Sequence, residues 1–293
     1  MNSSMEIERQ FNRSSAGSYD EHANVQKMMA EQLAEALGVL DVTRKSTPAR
    51  VGSILEIGCG TGIVTSGLVE KYPIASITAL DLAPGMLRAA EQRVRGSQPA
   101  DRDIRFIHGD VEKWSATAPP ASFDLIVSGA CFQWLQQPKQ TLQHLRRLLR
   151  PGGVLVFTTF GPTTFYELHE SFMEAYRQNG QQPQRHGLTF QSGAGWREML
   201  VDSGFTHTHI HEDRLLHVET YPTPKDFLHA VKAMGASTSE AAVAPGIGRR
   251  RLFVDMYKAY VTKFSVLGGV SATYELLMMQ AKVPNKDRDS DKF

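Results

Sequence analysis

The chain has few cysteines, almost no net charge and no long apolar run. Only two of its 293 residues are cysteines, Cys59 and Cys131, and their spacing does not resemble that of paired metal ligands. We therefore predict no metal site, and the scarcity of cysteine fits a reduced, cytoplasmic compartment. The formal charge of +1 is too balanced to predict nucleic-acid binding from overall electrostatics.

Membrane and secretion signals are also missing. No apolar run approaches the roughly 18 residues that span a bilayer, and the first ten residues, MNSSMEIERQ, lack the basic-then-apolar order of a signal peptide. We expect a soluble monomer without a membrane or nucleic-acid partner. With 41% apolar residues the chain can bury a sizeable core, and its length favours one decorated domain over two independent ones.

The most informative segment that is present is ILEIGCGTG at 54–62. The apolar residues suit a buried parallel strand, and Gly58, Gly60 and Gly62 remove side chains that would keep a ligand from the backbone at the following turn. The glycine spacing differs from the Gly-x-Gly-x-x-Gly of dinucleotide enzymes. Glu56 would repel a pyrophosphate but attract the ammonium group of a methionine moiety, which favours S-adenosyl-L-methionine over NAD.

Acidic residues follow the next two predicted strands. Asp81 ends the strand 76–80, where its carboxylate can accept hydrogen bonds from both ribose hydroxyls. Asp110 follows the strand 104–109 and would meet the adenine amino group, and Leu82 and Met86 would flank the ring. All these residues fall at the carboxyl ends of successive strands, the edge where open parallel sheets bind ligands.

Plainer interpretations stay open at each of these positions. A glycine-rich turn is often only a tight turn, and an acid after a strand is often a helix N-cap. Met86 at helical spacing could belong to the core. The complete set predicted for the cofactor is Glu56, Gly58, Cys59, Gly60, Gly62, Asp81, Leu82, Met86, Asp110, Val111, Ser128, Tyr19 and Gln26.

Strands and helices alternate along most of the chain, which is typical of a doubly wound α/β fold. An amphipathic helix is predicted over 20–38, closed by Gly38. The predicted core elements are strand 51–57, helix 62–71, strand 76–81, helix 84–95, strand 104–109, strand 123–129, helix 138–149, strand 153–160, helix 192–203 and strand 205–211. A closing strand is predicted over 272–283.

We predict one domain with four regions ahead of a frayed tail at 284–293. These are an N-terminal cap helix (1–40), a Rossmann-like core (51–221), a helical lid inserted before the last strand (222–268) and the closing strand (269–283).

The whole order resembles the class I S-adenosylmethionine-dependent methyltransferases, and within them the malonyl-acyl-carrier-protein O-methyltransferases of biotin synthesis. The motifs that carry the resemblance over nearly the full length are FNRSSAGSYDEHANVQ, EIGCGTG, Gln133-Trp134, LRPGG and FGPTTFYEL. The resemblance implies a Rossmann-like sheet of seven strands, mostly parallel, with the last strand antiparallel. Similar sequences often have Ser-Asn after the fourth strand, where this chain has Ser128-Gly129.

The implied reaction transfers a methyl group to the free carboxylate of a malonyl thioester on acyl carrier protein, at the start of pimeloyl synthesis. A carboxylic acid with a pKa near 4 is already ionised at neutral pH, so it requires no general base. The site must instead align the reacting atoms and exclude water. Methylation of a free small acid such as a tricarboxylate, and cofactor binding without catalysis, are the alternatives.

The residues that position the acceptor are less defined. In the resembling family the segment with Tyr19, His22 and Gln26 folds over the cofactor, and we predict Tyr19 as a gate, although it could merely anchor the helix. Arg147 could hold a carboxylate, or simply favour a helix C-terminus as Arg146 and Arg150 would. Trp134 and Phe132 could line the acceptor pocket or pack below it. The triplet at 249–251 could contact an acidic carrier protein or be a solvated face.

Overall fold

Two helices lie ahead of the sheet in this computed structural model, α1 (Ser4–Ser14) and α2 (Asn24–Arg44). The structure describes residues 4–14, 23–44, 51–96, 102–184, 186–233 and 247–285. The predicted end of the second helix at Gly38 is wrong. Gly38 does not adopt the left-handed backbone that stops a helix, so α2 continues to Arg44.

The sheet has the predicted class of topology. Its strands are β1 (Ser53–Ile57), β2 (Ser76–Asp81), β3 (Ile104–His108), β4 (Phe123–Ser128), β5 (Leu149–Phe160), β6 (Ile210–Tyr221), β7 (Ser265–Val266) and β8 (Gly269–Lys282). The order is β3-β2-β1-β4-β5-β8-β6, and β7 pairs with β8 off this path. Because β1 to β5 are parallel and β8 is antiparallel to both β5 and β6, the Rossmann-like sheet with an antiparallel last strand is confirmed.

Helices connect the strands on both faces of the sheet. They are α3 (Ile63–Lys71), α4 (Pro84–Arg95), α5 (Val111–Thr117), α6 (Pro138–Leu148), α7 (Tyr166–Gln178), α8 (Gly193–Asp202), α9 (Pro224–Ala233) and α10 (Ile247–Phe264). Helices α1, α5 and α7 are not among the predicted elements. The lid is predicted over 222–268, where α9 and α10 occur between β6 and β8, and its role as a lid stays a prediction.

The strand predicted over 205–211 has different bounds. β6 begins at Ile210 and runs to Tyr221, paired residue by residue with β8. Most of its side chains are exposed, so its sequence lacks the apolar run of a buried strand. The charged stretch HEDR in particular does not predict a strand. Similarly, β5 begins at Leu149, ahead of the Pro151-Gly152-Gly153 turn from which we predicted it to start.

Both faces of the central parallel strands β1 and β4 are buried, which explains their largely apolar sequence. Ile54 and Val127 pack with Leu33 of α2 and Leu68 of α3 on one face. Leu55, Ile126 and Leu155 pack with Leu142 of α6 and Trp196 of α8 on the other. A third cluster joins β8 to α7, α9 and α10. This core fixes the carboxyl ends of β1, β2 and β4 side by side at one edge.

Membrane-spanning and metal-binding features were searched over the described ranges. None of the helices there combines the length and the apolar content needed to cross a bilayer. Within the same ranges, no group of three or more His, Cys, Asp or Glu side chains could hold a metal ion.

Candidate active site

The glycine turn after β1 folds onto β2. The amides of Gly58 and Cys59 both donate to the carbonyl of Leu80, at 2.8 and 3.1 Å. Gly58 has φ +68°, and a Cβ there would lie 2.6 Å from Sγ of Cys131. Gly60 has φ +54° with no atom within 4 Å of where its Cβ would be. The turn therefore presents bare backbone to the space in front of it.

Asp81 organises the same turn from the end of β2. Its Oδ2 accepts from the Gly60 amide and its Oδ1 from the Ala83 amide, both at 2.8 Å. Burial raises the pKa of Asp81, while these amides and His108 oppose the rise. Each carboxylate oxygen keeps a lone pair, so Asp81 can still accept hydrogen bonds from a bound diol.

Glu56 lies on β1 just before the turn and is 1% exposed. Its Oε2 has no hydrogen-bond partner among the described residues. Burial raises the pKa of Glu56 to about 8, the Asp81 carboxylate adds to the rise, and Thr65 opposes it. The side chain does not line the adjacent cleft, so its predicted attraction of an ammonium group stays a prediction.

Asp110 caps α5, as the plainer interpretation of its position predicts. Its Oδ1 accepts from the Glu112 amide at 3.0 Å. Its Oδ2 lies 3.2 Å from Oγ of Ser4 on α1 and 3.9 Å from Nζ of Lys113. Asp110 also lines the cleft, so capping and ligand contact are compatible.

A cleft of about 770 Å³, including its open mouth, lies at this edge of the sheet. Predicted cofactor residues that line it are Gly58, Gly60, Asp81, Leu82, Met86, Asp110 and Val111. Glu56, Cys59, Gly62 and Ser128 do not line it. Ser128 is instead buried, with its Oγ donating to the carbonyl of Ile57 at 2.9 Å.

The N-terminal helix α1 covers this cleft. Ser4, Ile7 and Phe11 line it, and Oδ1 of Asn12 accepts from the Gly85 amide at 2.8 Å. Sequence reasoning missed these residues. The available signal was the four-residue spacing of Ile7 and Phe11, which places both on one face of a helix.

A second cavity of about 410 Å³, including its open mouth, adjoins the cleft. It is lined by Phe11, Gln26, Ala130, Gln133, Trp134, Phe160, Phe165, Leu188, Phe190 and Tyr274. Three of these residues, Phe11, Ala130 and Trp134, line both cavities. The rings of Phe11 and Trp134 meet edge to face, with centroids 5.4 Å apart. A group held in the cleft and one held in the second cavity would therefore meet beside Trp134.

The second cavity differs from the cleft in its chemistry. Its described lining contains no acidic or basic side chain. Burial raises the pKa of Tyr274 far above the usual value, so its phenol stays neutral, and the phenol oxygen lies 2.8 Å from that of Tyr221. Gln133 is held by two bonds, from its Nε2 to the Ala130 carbonyl at 2.7 Å and from Thr159 Oγ1 to its Oε1 at 3.1 Å.

Arg147 lies away from the cleft. α6 leads into the parallel strand β5, so its C-terminus lies at the amino edge of the sheet, opposite the cleft. There the Arg147 guanidinium donates to the carbonyls of Ser115 at 2.8 Å and Ala116 at 3.2 Å, at the end of α5. The structure does not bring Arg147 to either cavity, and we assign it a capping role instead.

The remaining predicted residues lie in the core, on an exposed helix or outside the described residues. Phe132 is buried in the core and stacks on Phe157, with centroids 4.0 Å apart, so it packs below the cavities. Tyr19 and His22 lie outside the described residues, as does the side chain of Arg249. Arg251 lies 3.7 Å from Asp255, and Arg250 is exposed, so a contact of this triplet with a carrier protein stays a prediction.

Comparison with known proteins identifies the relatives of this chain. Residues 55–157 match the family described as methyltransferase domain. A malonyl-[acyl-carrier protein] O-methyltransferase of Paenibacillus sp. (strain JDR-2) is 52% identical, covering 94% of this chain and 97% of the relative. One of Brevibacillus brevis is 42% identical, covering 91% and 92%. A solved putative methyltransferase (BH2331) of Bacillus halodurans has the same fold, with TM-score 0.56, 16% identity and coverage of 84% and 98%.

Proposed function

Because the chain belongs to the malonyl-[acyl-carrier protein] O-methyltransferase family, we propose that it methylates the free carboxylate of a malonyl group on acyl carrier protein. The methyl donor is S-adenosyl-L-methionine. The observation that carries the proposal is the meeting of two cavities of unlike chemistry at Phe11, Ala130 and Trp134. One cavity has the acids and bare backbone suited to a nucleoside, and the other is neutral and largely aromatic.

The residues of the cleft fit this cofactor. Asp81 would hold the ribose hydroxyls, and Leu82 and Met86 would flank the adenine. The turn at Gly58 and Gly60 leaves room for the cofactor beside the backbone. When bound, the cofactor supplies an electrophilic methyl group on a positively charged sulfur. α1 would cover the site and limit the access of water.

The chain's own residues would contribute by positioning the acceptor carboxylate. A malonyl carboxylate is already ionised at neutral pH, so no general base is needed. The described lining of the second cavity offers this carboxylate no competing cation. Its orientation would be restricted by Gln133, Trp134 and the surrounding rings. Such restriction can lower the activation free energy by up to roughly 7–11 kcal/mol in well-aligned reactions.

The same lining argues against a free tricarboxylate as the acceptor. Each additional carboxylate would have to be buried without a charged partner among the described residues of the cavity. Burial of an ion costs several kcal/mol even after the protein relaxes around it. A malonyl thioester carries one carboxylate, whose charge would be balanced by the positively charged sulfur of the bound cofactor. Its place at the start of pimeloyl synthesis, a cytoplasmic location and a monomeric state stay predictions.

Mass spectrometry of the intact carrier protein tests this function. Malonyl-carrier protein incubated with the enzyme and S-adenosyl-L-methionine should gain the mass of one methyl group, and mild alkaline hydrolysis should remove it. Acetyl-carrier protein is the matched control, because it lacks the free carboxylate and should stay unmodified. Parallel reactions with malonyl-coenzyme A and a free tricarboxylate decide the acceptor. Methylation of the tricarboxylate alone would refute the proposal.

A further inference from the structure

The turn between β5 and α7 holds a residue in an unusual conformation. Phe165 has φ 61° and ψ 29°, the left-handed region that a bulky residue rarely adopts. It is 8% exposed and lines the second cavity. Ala130, which lines both cavities, also has a positive φ of 51°. Strained residues of this kind persist only where their surroundings enforce them, and they concentrate at functional sites.

One buried carboxylate fastens the start of this turn. Glu275 of β8 is 5% exposed, and its Oε2 accepts from the Thr163 amide at 2.7 Å. Its backbone amide donates to Oγ1 of Thr164 at 3.0 Å, and its carbonyl accepts from the Gly161 amide at 2.8 Å. Arg214 of β6 neutralises the charge, with Nε 2.5 Å from Oε1. The turn is thus tied to the antiparallel strand before it reaches Phe165.

A second buried carboxylate fastens its end. Glu167 is fully buried, and its Oε2 accepts from the amide of Thr273 at 3.0 Å. Its Oε1 accepts from the hydroxyl of Thr273 at 2.6 Å. The Phe165 amide donates to the carbonyl of that same residue at 2.8 Å. Thr273 therefore contacts both sides of the strained residue, and Phe165 has little freedom to relax.

The ring of Phe165 is held as firmly as its backbone. Its centroid lies 5.1 Å from that of Tyr274 and 5.3 Å from that of Phe227, both edge to face. Phe190, another residue of the cavity, lies 6.4 Å away. The ring thus forms a fixed wall of the cavity, because it packs in the same apolar cluster as Phe227 of α9.

We propose that Phe165 is the wall against which the acceptor's carboxyl-bearing chain is aligned, and that Glu167 is a positioning residue that acts through it. This inference rests on the proposed function, since it concerns the same acceptor. Neither residue lines the cofactor cleft, so their effect is confined to the acceptor. Glu167 and Glu275 then do more than stabilise the fold, because their hydrogen bonds hold the backbone conformation that orients the ring of Phe165.

Steady-state kinetics with malonyl-carrier protein test this inference. Phe165→Leu keeps an apolar side chain but removes the ring, and should raise the acceptor KM about tenfold, the factor expected for a lost aromatic contact. Glu167→Ala should raise it to a similar degree, while Glu167→Gln, which keeps an acceptor for the Thr273 amide, should recover most of the loss. The affinity for S-adenosyl-L-methionine should stay unchanged in all three. Glu170→Ala is the control, since Glu170 is exposed one turn further along α7.

The double variant makes the test specific. If Glu167 acts through the ring, Phe165→Leu combined with Glu167→Ala should raise the acceptor KM no further than Phe165→Leu alone. Fully multiplied effects, or an unchanged acceptor KM in Phe165→Leu, would overturn the proposal. Should Glu167→Ala fail to fold, Phe165→Leu and Glu167→Gln still decide it. The wild-type reaction in the same assay tests the proposed function separately, because its failure would appear before any variant is compared.

Discussion

The cleft proposed for the cofactor and the second cavity, proposed for the acceptor and called the acceptor cavity below, share one wall but are built in different ways. The cleft forms from consecutive strand ends, where Gly58, Gly60, Asp81 and Asp110 each follow or end a parallel strand. The acceptor cavity collects side chains from α1, α2, the 130–134 segment, β5, the strained turn, the 188–190 segment and β8. The first site depends on local backbone geometry, and the second depends on tertiary packing. Substitutions outside the shared residues Phe11, Ala130 and Trp134 should therefore affect one site alone.

The largest effect is expected at Gly58. Gly58→Ala places a methyl group 2.6 Å from Sγ of Cys131 in a left-handed backbone. We expect the affinity for S-adenosyl-L-methionine to fall about a hundredfold, or roughly 3 kcal/mol, measured by calorimetry. Gly67→Ala is the control, because Gly67 lies in α3 with nothing within 4 Å of its added Cβ. Equal losses in both variants would show that the turn has no special requirement.

Asp81 should come next. Asp81→Ala removes the acceptor of the Gly60 and Ala83 amides together with the predicted ribose contact. The cofactor affinity should fall at least about tenfold. Asp103→Ala, at an exposed acid before β3, should leave it unchanged. Unchanged affinity in Asp81→Ala itself would exclude this carboxylate from the cofactor site.

Trp134 and Phe190 test the shared wall. Trp134 lines both cavities, so Trp134→Ala should weaken cofactor binding and raise the acceptor KM, each by roughly fivefold. Phe190 lines only the acceptor cavity, so Phe190→Leu should change the acceptor KM alone. An effect of Phe190→Leu on cofactor affinity would contradict the division into two sites.

Glu56 should make the stability of the folded protein depend on pH. Because burial raises its pKa from 4.5 to about 8, the folded protein binds a proton that the unfolded chain has lost over this interval. Stability of the ligand-free protein should therefore fall as pH rises from 4.5 to about 8, by at most about 1.4 kcal/mol per pH unit. Urea unfolding at several pH values should show a shallower slope for Glu56→Gln. An identical slope would rule Glu56 out as its source.

The smallest effect is expected at Arg147. Since its guanidinium only caps α5, Arg147→Ala should cost about 1 kcal/mol of stability in urea unfolding. Cofactor affinity and acceptor KM should not change. A selective rise in acceptor KM would instead restore the carboxylate-binding role that the sequence predicts for it.

The sequence indicates the residues that line the cleft better than those that line the second cavity, for a physical reason. Glycines or an acid after a predicted strand mark the carboxyl end of that strand in the sequence itself, as Gly58 and Asp81 do. Phe165 gives no such signal, because a phenylalanine normally avoids the left-handed backbone that the turn imposes. The position of Arg147 is also not evident from the sequence. Its charge suggests a carboxylate partner, but the direction of α6 places it at the opposite edge of the sheet.

The most direct test is a crystal structure of the enzyme with S-adenosyl-L-homocysteine, the product of methyl transfer. The account predicts ribose hydroxyls on the Asp81 carboxylate and the sulfur beside Ala130 and Trp134, facing the cavity walled by Phe165. A product bound with its sulfur turned away from Trp134, or bound outside the cleft, would contradict it.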